Sequence, residues 1–144
     1  MEVGPAWGPD GRTIAVRRSD TGTYQSGIWL VRADGSGPHR ILAGFGNATE
    51  PVWSPDGGRL LVEDGQALYS VRPNGGGRRT IVRLSADSKG NLEDPLAGVS
   101  PDGRWAVFRQ FRPGSVPRSD IWGVGPHGQG RPRVARLWER AANA

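Results

Sequence analysis

The chain has 144 residues, no cysteine and a net charge of +5. That length buries one modest core without staples, and the missing cysteines exclude disulfides, a thiol nucleophile and any cysteine-built zinc site. No apolar stretch approaches the ~20 residues that cross a bilayer, and Met1-Glu2-Val3-Gly4-Pro5 has neither the basic start nor the apolar run of a secretory signal.

Glycine (23) and proline (12) are frequent, and they cluster between short apolar runs, which is the punctuation of an all-β protein with many tight turns. In chain order, Trp7-Gly8-Pro9-Asp10-Gly11-Arg12 predicts a strand end and a turn, and Thr13-Ile14-Ala15-Val16 a second strand. A loop of about ten residues leads to a third strand, Ile28-Trp29-Leu30-Val31-Arg32. Ala33-Asp34-Gly35 turns the chain, and Arg40-Ile41-Leu42 closes the unit.

The same order then recurs. Trp53-Ser54-Pro55-Asp56-Gly57-Gly58 precedes Arg59-Leu60-Leu61-Val62, a short hairpin Glu63-Asp64-Gly65-Gln66, Leu68-Tyr69-Ser70-Val71, the turn Pro73-Asn74-Gly75, and Thr80-Ile81-Val82. Val99-Ser100-Pro101-Asp102-Gly103-Arg104 precedes Trp105-Ala106-Val107-Phe108, then Ile121-Trp122-Gly123-Val124, Pro126-His127-Gly128, and Arg133-Val134-Ala135. Asp10, Asp56 and Asp102 are each 46 residues apart. Three units of four strands follow, over residues 1–50, 51–94 and 95–138, with a tail at 139–144.

Turn chemistry explains the recurring residues. Proline presets φ, aspartate bonds backbone two residues on, and glycine takes positive φ. Asp10, Gly11, Asp56, Gly57, Asp102 and Gly103 are therefore structural turn residues; a catalytic reading would need three equivalent active sites. The second strand of each unit is apolar on both faces, so each sheet is covered on both sides. Sheets stacked face to face in a β-propeller meet that demand better than a two-sheet sandwich, which predicts cleaner alternation.

Trp-Ser-Pro-Asp-Gly before a β run, then Ile-Trp or Leu-Tyr and Asp-Gly-Ser-Gly, resembles the WD-repeat-like blades of TolB-type six-bladed propellers, over about residues 4–137. Related blades occur in tricorn-type and prolyl-oligopeptidase-family proteases. The resemblance implies an all-β propeller of three four-stranded blades and a periplasmic or cell-envelope setting. Gly8 stands where serine is usual, Val99 replaces the tryptophan of the third blade, Pro95 is two residues out of register with Pro5 and Pro51, and the second hairpin is short. Three blades do not close a ring of the usual size. Either the chain is a piece of a longer propeller, or two copies form a homodimer of six blades.

No Gly-x-Ser-x-Gly elbow is present, and His39 and His127 beside the second turns lack partners at metal or catalytic spacing. The glycine-rich turns precede strands rather than helices, so they are not phosphate cradles. No cofactor is expected. Asn47-Ala48-Thr49 formally matches a glycosylation sequon. Trp7, Trp29, Trp53, Tyr69 and Trp122 fall at repeat positions and read as packing between blades; Trp105, in the place of Thr13 and Arg59, reads as a partner anchor or as filler beside Val99.

The whole excess charge lies in residues 95–144, where eight arginines face Asp102, Asp120 and Glu139. A solvated surface accounts for it, and the lack of aromatics placed beside the arginines argues against nucleic acid. The loops entering the first strands carry Asn47, Thr49 and Glu50 in the second blade and Asn91, Glu93 and Asp94 in the third. First strands are innermost in a propeller, so these groups are expected to converge at one mouth of its channel and to bind a protein or peptide. The expectation is a non-catalytic scaffold; the alternative is the propeller portion of a prolyl-oligopeptidase- or tricorn-type protease whose catalytic domain lies outside this chain.

Overall fold

In the computed structural model, residues 2–19, 26–45, 50–64, 66–83, 96–112, 118–125 and 133–137 are described. They form three antiparallel four-stranded sheets, each with its strands in sequence order. The first contains β1 (Glu2–Trp7), β2 (Thr13–Ser19), β3 (Ser26–Arg32) and β4 (His39–Phe45). The second contains β5 (Val52–Trp53), β6 (Leu60–Glu63), β7 (Ala67–Val71) and β8 (Arg79–Arg83), and the third β9 (Leu96–Val99), β10 (Ala106–Arg112), β11 (Arg118–Val124) and β12 (Arg133–Leu137). Between sheets, the first strands approach most closely, β1 beside β5 and β5 beside β9. Meanders that converge on their first strands and stack face to face are propeller blades.

The turns hold as their chemistry requires. Gly11, Gly57 and Gly103 donate their backbone N–H to the carbonyls of Gly8, Ser54 and Ser100 at 3.0, 2.9 and 2.8 Å, each with φ near the left-handed value (63°, 68° and 69°). The ladder of the first hairpin runs to Ser19 opposite Ser26. The expected ten-residue loop is therefore shorter, because Arg17 and Arg18 continue the backbone pairing whatever their side-chain polarity.

Alternation along the strands divides each blade's apolar residues between two neighbours. Leu60, Val62, Ala67, Tyr69 and Val71 of the second blade pack with Ala15, Ile28, Leu30 and Leu42 of the first. Leu61, Leu68, Ile81 and Val82, from the opposite face, pack with Ala106, Phe108 and Val124 of the third. Full burial of side chains such as Leu60, Val62 and Phe108 contributes about 1.5–3 kcal/mol each. The cohesion of the molecule lies in the two seams between blades.

One residue assigned from sequence to the second hairpin is placed differently. Glu63 is the last residue of β6 and only 1% exposed. Its backbone pairs with Leu68, and because Asp64 makes the turn itself, the strand runs one residue further than polarity suggested.

Candidate functional site

The inner strands set the site. Gly4 lies in a register shift of β1 between Val3 and Ala6 with φ of 65°, and the bare backbone there seats the side chain of Glu50. A methyl group built on Gly4 would collide with the Glu50 side chain. Glu50 itself is exposed, immediately before the buried Pro51 that opens β5. Its carboxylate thus stands at the junction of the first two blades beside the inner strands. Asn47, Thr49, Asn91, Glu93 and Asp94 lie outside the described residues.

Other acidic side chains are committed to the backbone. Asp10 accepts from the backbone N–H of Arg12 and Thr13 at 2.9 and 3.0 Å and from the Thr13 hydroxyl at 2.8 Å. Asp56 accepts from the Ser54 hydroxyl at 2.6 Å and the Gly58 N–H at 3.0 Å; Asp102 accepts from Ser100 at 2.5 Å and the Arg104 N–H at 3.0 Å. Gly8 explains the one variation. With no serine hydroxyl in the first turn, Thr13 supplies the hydroxyl from the other side of the hairpin. Asp34 accepts from Ser36 at its hydroxyl and N–H, and Asp64 from the N–H of Gln66 and Ala67.

For Asp10, Asp34, Asp56 and Asp102 these bonds favour the ionised carboxylate, so their pKa values fall below the ordinary 3.8. The leading cause is the Arg12 N–H for Asp10, the Ser36 hydroxyl for Asp34, the Ser54 hydroxyl for Asp56 and the Ser100 hydroxyl for Asp102. Tyr69 is shifted upward, first by burial and then by its hydrogen bond to Asp64.

The repeat aromatics behave according to which seam they face. Trp53 donates its indole N–H to the Ala6 carbonyl across the first seam at 3.1 Å, and Tyr69 is buried in the same seam. Trp7, in the same repeat position as Trp53, is 61% exposed, with no blade in front of it among the described residues. Trp29 lies beneath the guanidinium groups of Arg18 and Arg40, 5.3 and 6.0 Å from its ring centre. Trp105 is 40% exposed. The side chain of Trp122 lies outside the described set.

His39 is exposed and is the first residue of β4 rather than part of the loop, its Nδ1 3.1 Å from the Gly37 carbonyl. His127 lies outside the described residues. Among the described residues no cluster of three or more His, Asp and Glu side chains has metal-binding geometry, and no helix is long and apolar enough to cross a membrane. Sequence reasoning missed the buried bond from Arg59 Nη1 to Ser70 Oγ, 2.9 Å. The signal was present: a serine in an otherwise apolar strand needs a partner.

Convergent first strands, stacked four-stranded sheets and seam-building turns define a β-propeller, with three blades among the described residues. Its fold is similar to that of TolB propellers. No protein-family model matches the chain. Over 55 residues it is 33% identical to the Tol-Pal system protein TolB 1 of Novosphingobium aromaticivorans, a stretch covering 38% of this chain and 12% of that protein. TolB from Acinetobacter baumannii superposes with a TM-score of 0.71 at 21% identity, over 94% of this chain and 32% of the other. A chain of the nidogen/laminin complex superposes at 0.71 with 14% identity, over 94% and 48%. The propeller domain of the trilobed protease from Pyrococcus furiosus does so at 0.68 with 14% identity, over 97% and 43%. The chain thus spans half or less of each of these proteins.

Proposed function

We propose that the chain is a non-catalytic binding module that engages a protein or peptide segment at the inner-strand end where Glu50 lies. The observation that carries this reading is the position of Glu50. Among the described residues it makes no hydrogen bond or ion pair, whereas Asp10, Asp34, Asp56, Asp64 and Asp102 are turned onto their own backbone and Glu63 is buried. An exposed carboxylate held over a glycine in an inner strand is a fixed anchor for a basic group.

The neighbours support a binding role without naming its ligand. One was solved in a complex of nidogen with laminin, and the curated relative is a Tol-Pal system protein. The second reading, the propeller part of a protease, draws on the superposition with the trilobed protease propeller. On that reading the flanking sequence encodes a hydrolase domain with a Gly-x-Ser-x-Gly elbow.

The test is fluorescence anisotropy with a panel of labelled Lys- and Arg-containing peptides and their acidic counterparts. Basic peptides should bind, and Glu50→Gln should weaken them about 2- to 5-fold, the range of an exposed ion pair. Failure of every peptide to bind, or indifference to Glu50→Gln, would remove the reading.

A further inference from the structure

The second blade has a neighbour on each face. The first blade covers one side of it and the third the other, and glycines of its turns sit in the seams. A methyl group built on Gly57 would stand 3.2 Å from Pro9 Cγ, and one on Gly75 2.8 Å from the Ile41 carbonyl. One on Gly103 of the third blade would stand 3.4 Å from Pro55 Cδ. What this blade leaves open is its outer edge. β8 is the last strand of its sheet and pairs with β7 alone, so among the described residues no strand lies along its other side.

That edge is basic, and the repeat does not require it to be. Residues 72–83 contain Arg72, Arg78, Arg79 and Arg83 and no acidic residue. The aligned residues of the first blade, 32–43, have Pro38, His39 and Ala43 where the second has Arg78, Arg79 and Arg83. They also have Asp34 where the second has Asn74. Asn74 accepts from the Gly76 N–H at 2.9 Å, as Asp34 accepts from the Ser36 N–H at 2.9 Å. Either residue satisfies the turn, so the exchange removes only a negative charge. In the first blade that charge lies 3.8 Å from Arg32; among the described residues Arg72, Arg79 and Arg83 make no ion pair.

The arginines line the edge from end to end. Arg59 Nη1 donates to the Gly77 carbonyl at 3.4 Å, and a methyl on Gly77 would stand 3.5 Å from Arg72 Nε. Two guanidinium side chains thus gather where the edge strand begins. Arg78 lies over the Tyr69 ring, 4.7 Å from its centre. Arg79 is paired with Ser70 and Arg83 with Ala67, about 13 Å apart at ~3.3 Å per residue. Arg72, Arg78, Arg79 and Arg83 are all exposed.

An open strand edge is a template for a further strand. Positive charge along it repels a second copy of the same edge and favours a strand of opposite sign. The charge alone suits a nucleic acid too, but bases need exposed aromatic faces on which to stack, and Tyr69 is buried beneath Arg78. We propose that the outer edge of the second blade is a docking site for an extended acidic polypeptide segment. The segment adds to β8 as a fifth strand and sets its carboxylates against Arg72, Arg79 and Arg83. The site is distinct from Glu50 beside the inner strands and selects the opposite charge.

The test is fluorescence anisotropy on the full chain with three labelled probes. They are an acidic peptide of Glu, Thr and Val, the same peptide with consecutive residues N-methylated, and a single-stranded oligonucleotide. The acidic peptide should bind, less tightly as salt rises. N-methylation keeps the charge but blocks backbone pairing, and it should weaken binding about tenfold or more. Arg79→Glu combined with Arg83→Glu should weaken the peptide about tenfold, with circular dichroism confirming that the variant is folded, while Glu50→Gln should leave it unchanged. An oligonucleotide that binds as tightly as the peptide, or N-methylation without effect, would overturn the proposal, since either marks a diffuse basic surface rather than a strand edge. So would an acidic peptide that does not bind.

Discussion

Replacing Trp53 separates the two parts of the first seam. The indole donates to the Ala6 carbonyl at 3.1 Å and packs, partly buried, against the cluster formed by Leu60, Val62, Ile28 and Leu42. Trp53→Phe keeps most of the ring and loses the donor, a net cost of about 1 kcal/mol. Trp53→Val installs the residue that the third blade carries naturally as Val99. It loses the bond and roughly 80 Å² of buried apolar surface, about 2 kcal/mol at ~25 cal/mol per Å², for a total of about 3 kcal/mol. Urea denaturation followed by circular dichroism, with the two midpoints compared at constant slope, should place the variants in that order. If both cost less than about 0.5 kcal/mol, the level of an ordinary surface change, the indole does not bridge the blades as described.

Three further outcomes follow from the seams and turns. Gly75→Ala should destabilise by about 2 kcal/mol or more in the same assay, because it combines a positive φ with a methyl pressed against the Ile41 carbonyl. Arg59→Met should cost about 1–2 kcal/mol by leaving the fully buried Ser70 hydroxyl without its donor. The turn aspartates have depressed pKa values, so their stabilising contribution is present above pH 3.8 and is lost as pH falls through the lowered folded values. Thermal melts should therefore fall off below that pH, and in an NMR titration Ser54→Ala should move the Asp56 carboxyl back up toward 3.8.

Much of this architecture was legible before any coordinates. Aspartates 46 residues apart, each between a proline and a glycine, carry turn chemistry that owes little to tertiary context. Strands apolar on both faces demanded cover on both sides, and Leu60 and Leu61 now face different blades. Other features needed neighbours. Trp7 and Trp53 are equivalent in sequence, yet one is exposed and the other bridges a seam; the difference is the blade in front, which local sequence does not contain. Glu63 looked like a loop residue from its charge and proved to be a buried strand end, because backbone pairing, rather than side-chain polarity, determines where a ladder stops. Of the channel-mouth group, Glu50 was legible as part of the loop entering an inner strand, but its seat on Gly4 depends on a bulge in another blade.

Three blades stack through Trp53, the Pro-Asp-Gly turns and the inner strands. Long-range nuclear Overhauser effects in the isotope-labelled chain test this stacking most directly. Stacked blades should give cross-peaks from the Trp53 indole N–H to Ala6 and Trp7, from Pro9 to Gly57, and from Pro55 to Gly103. Cross-peaks confined within each four-stranded sheet, with none from one sheet to the next, would contradict it.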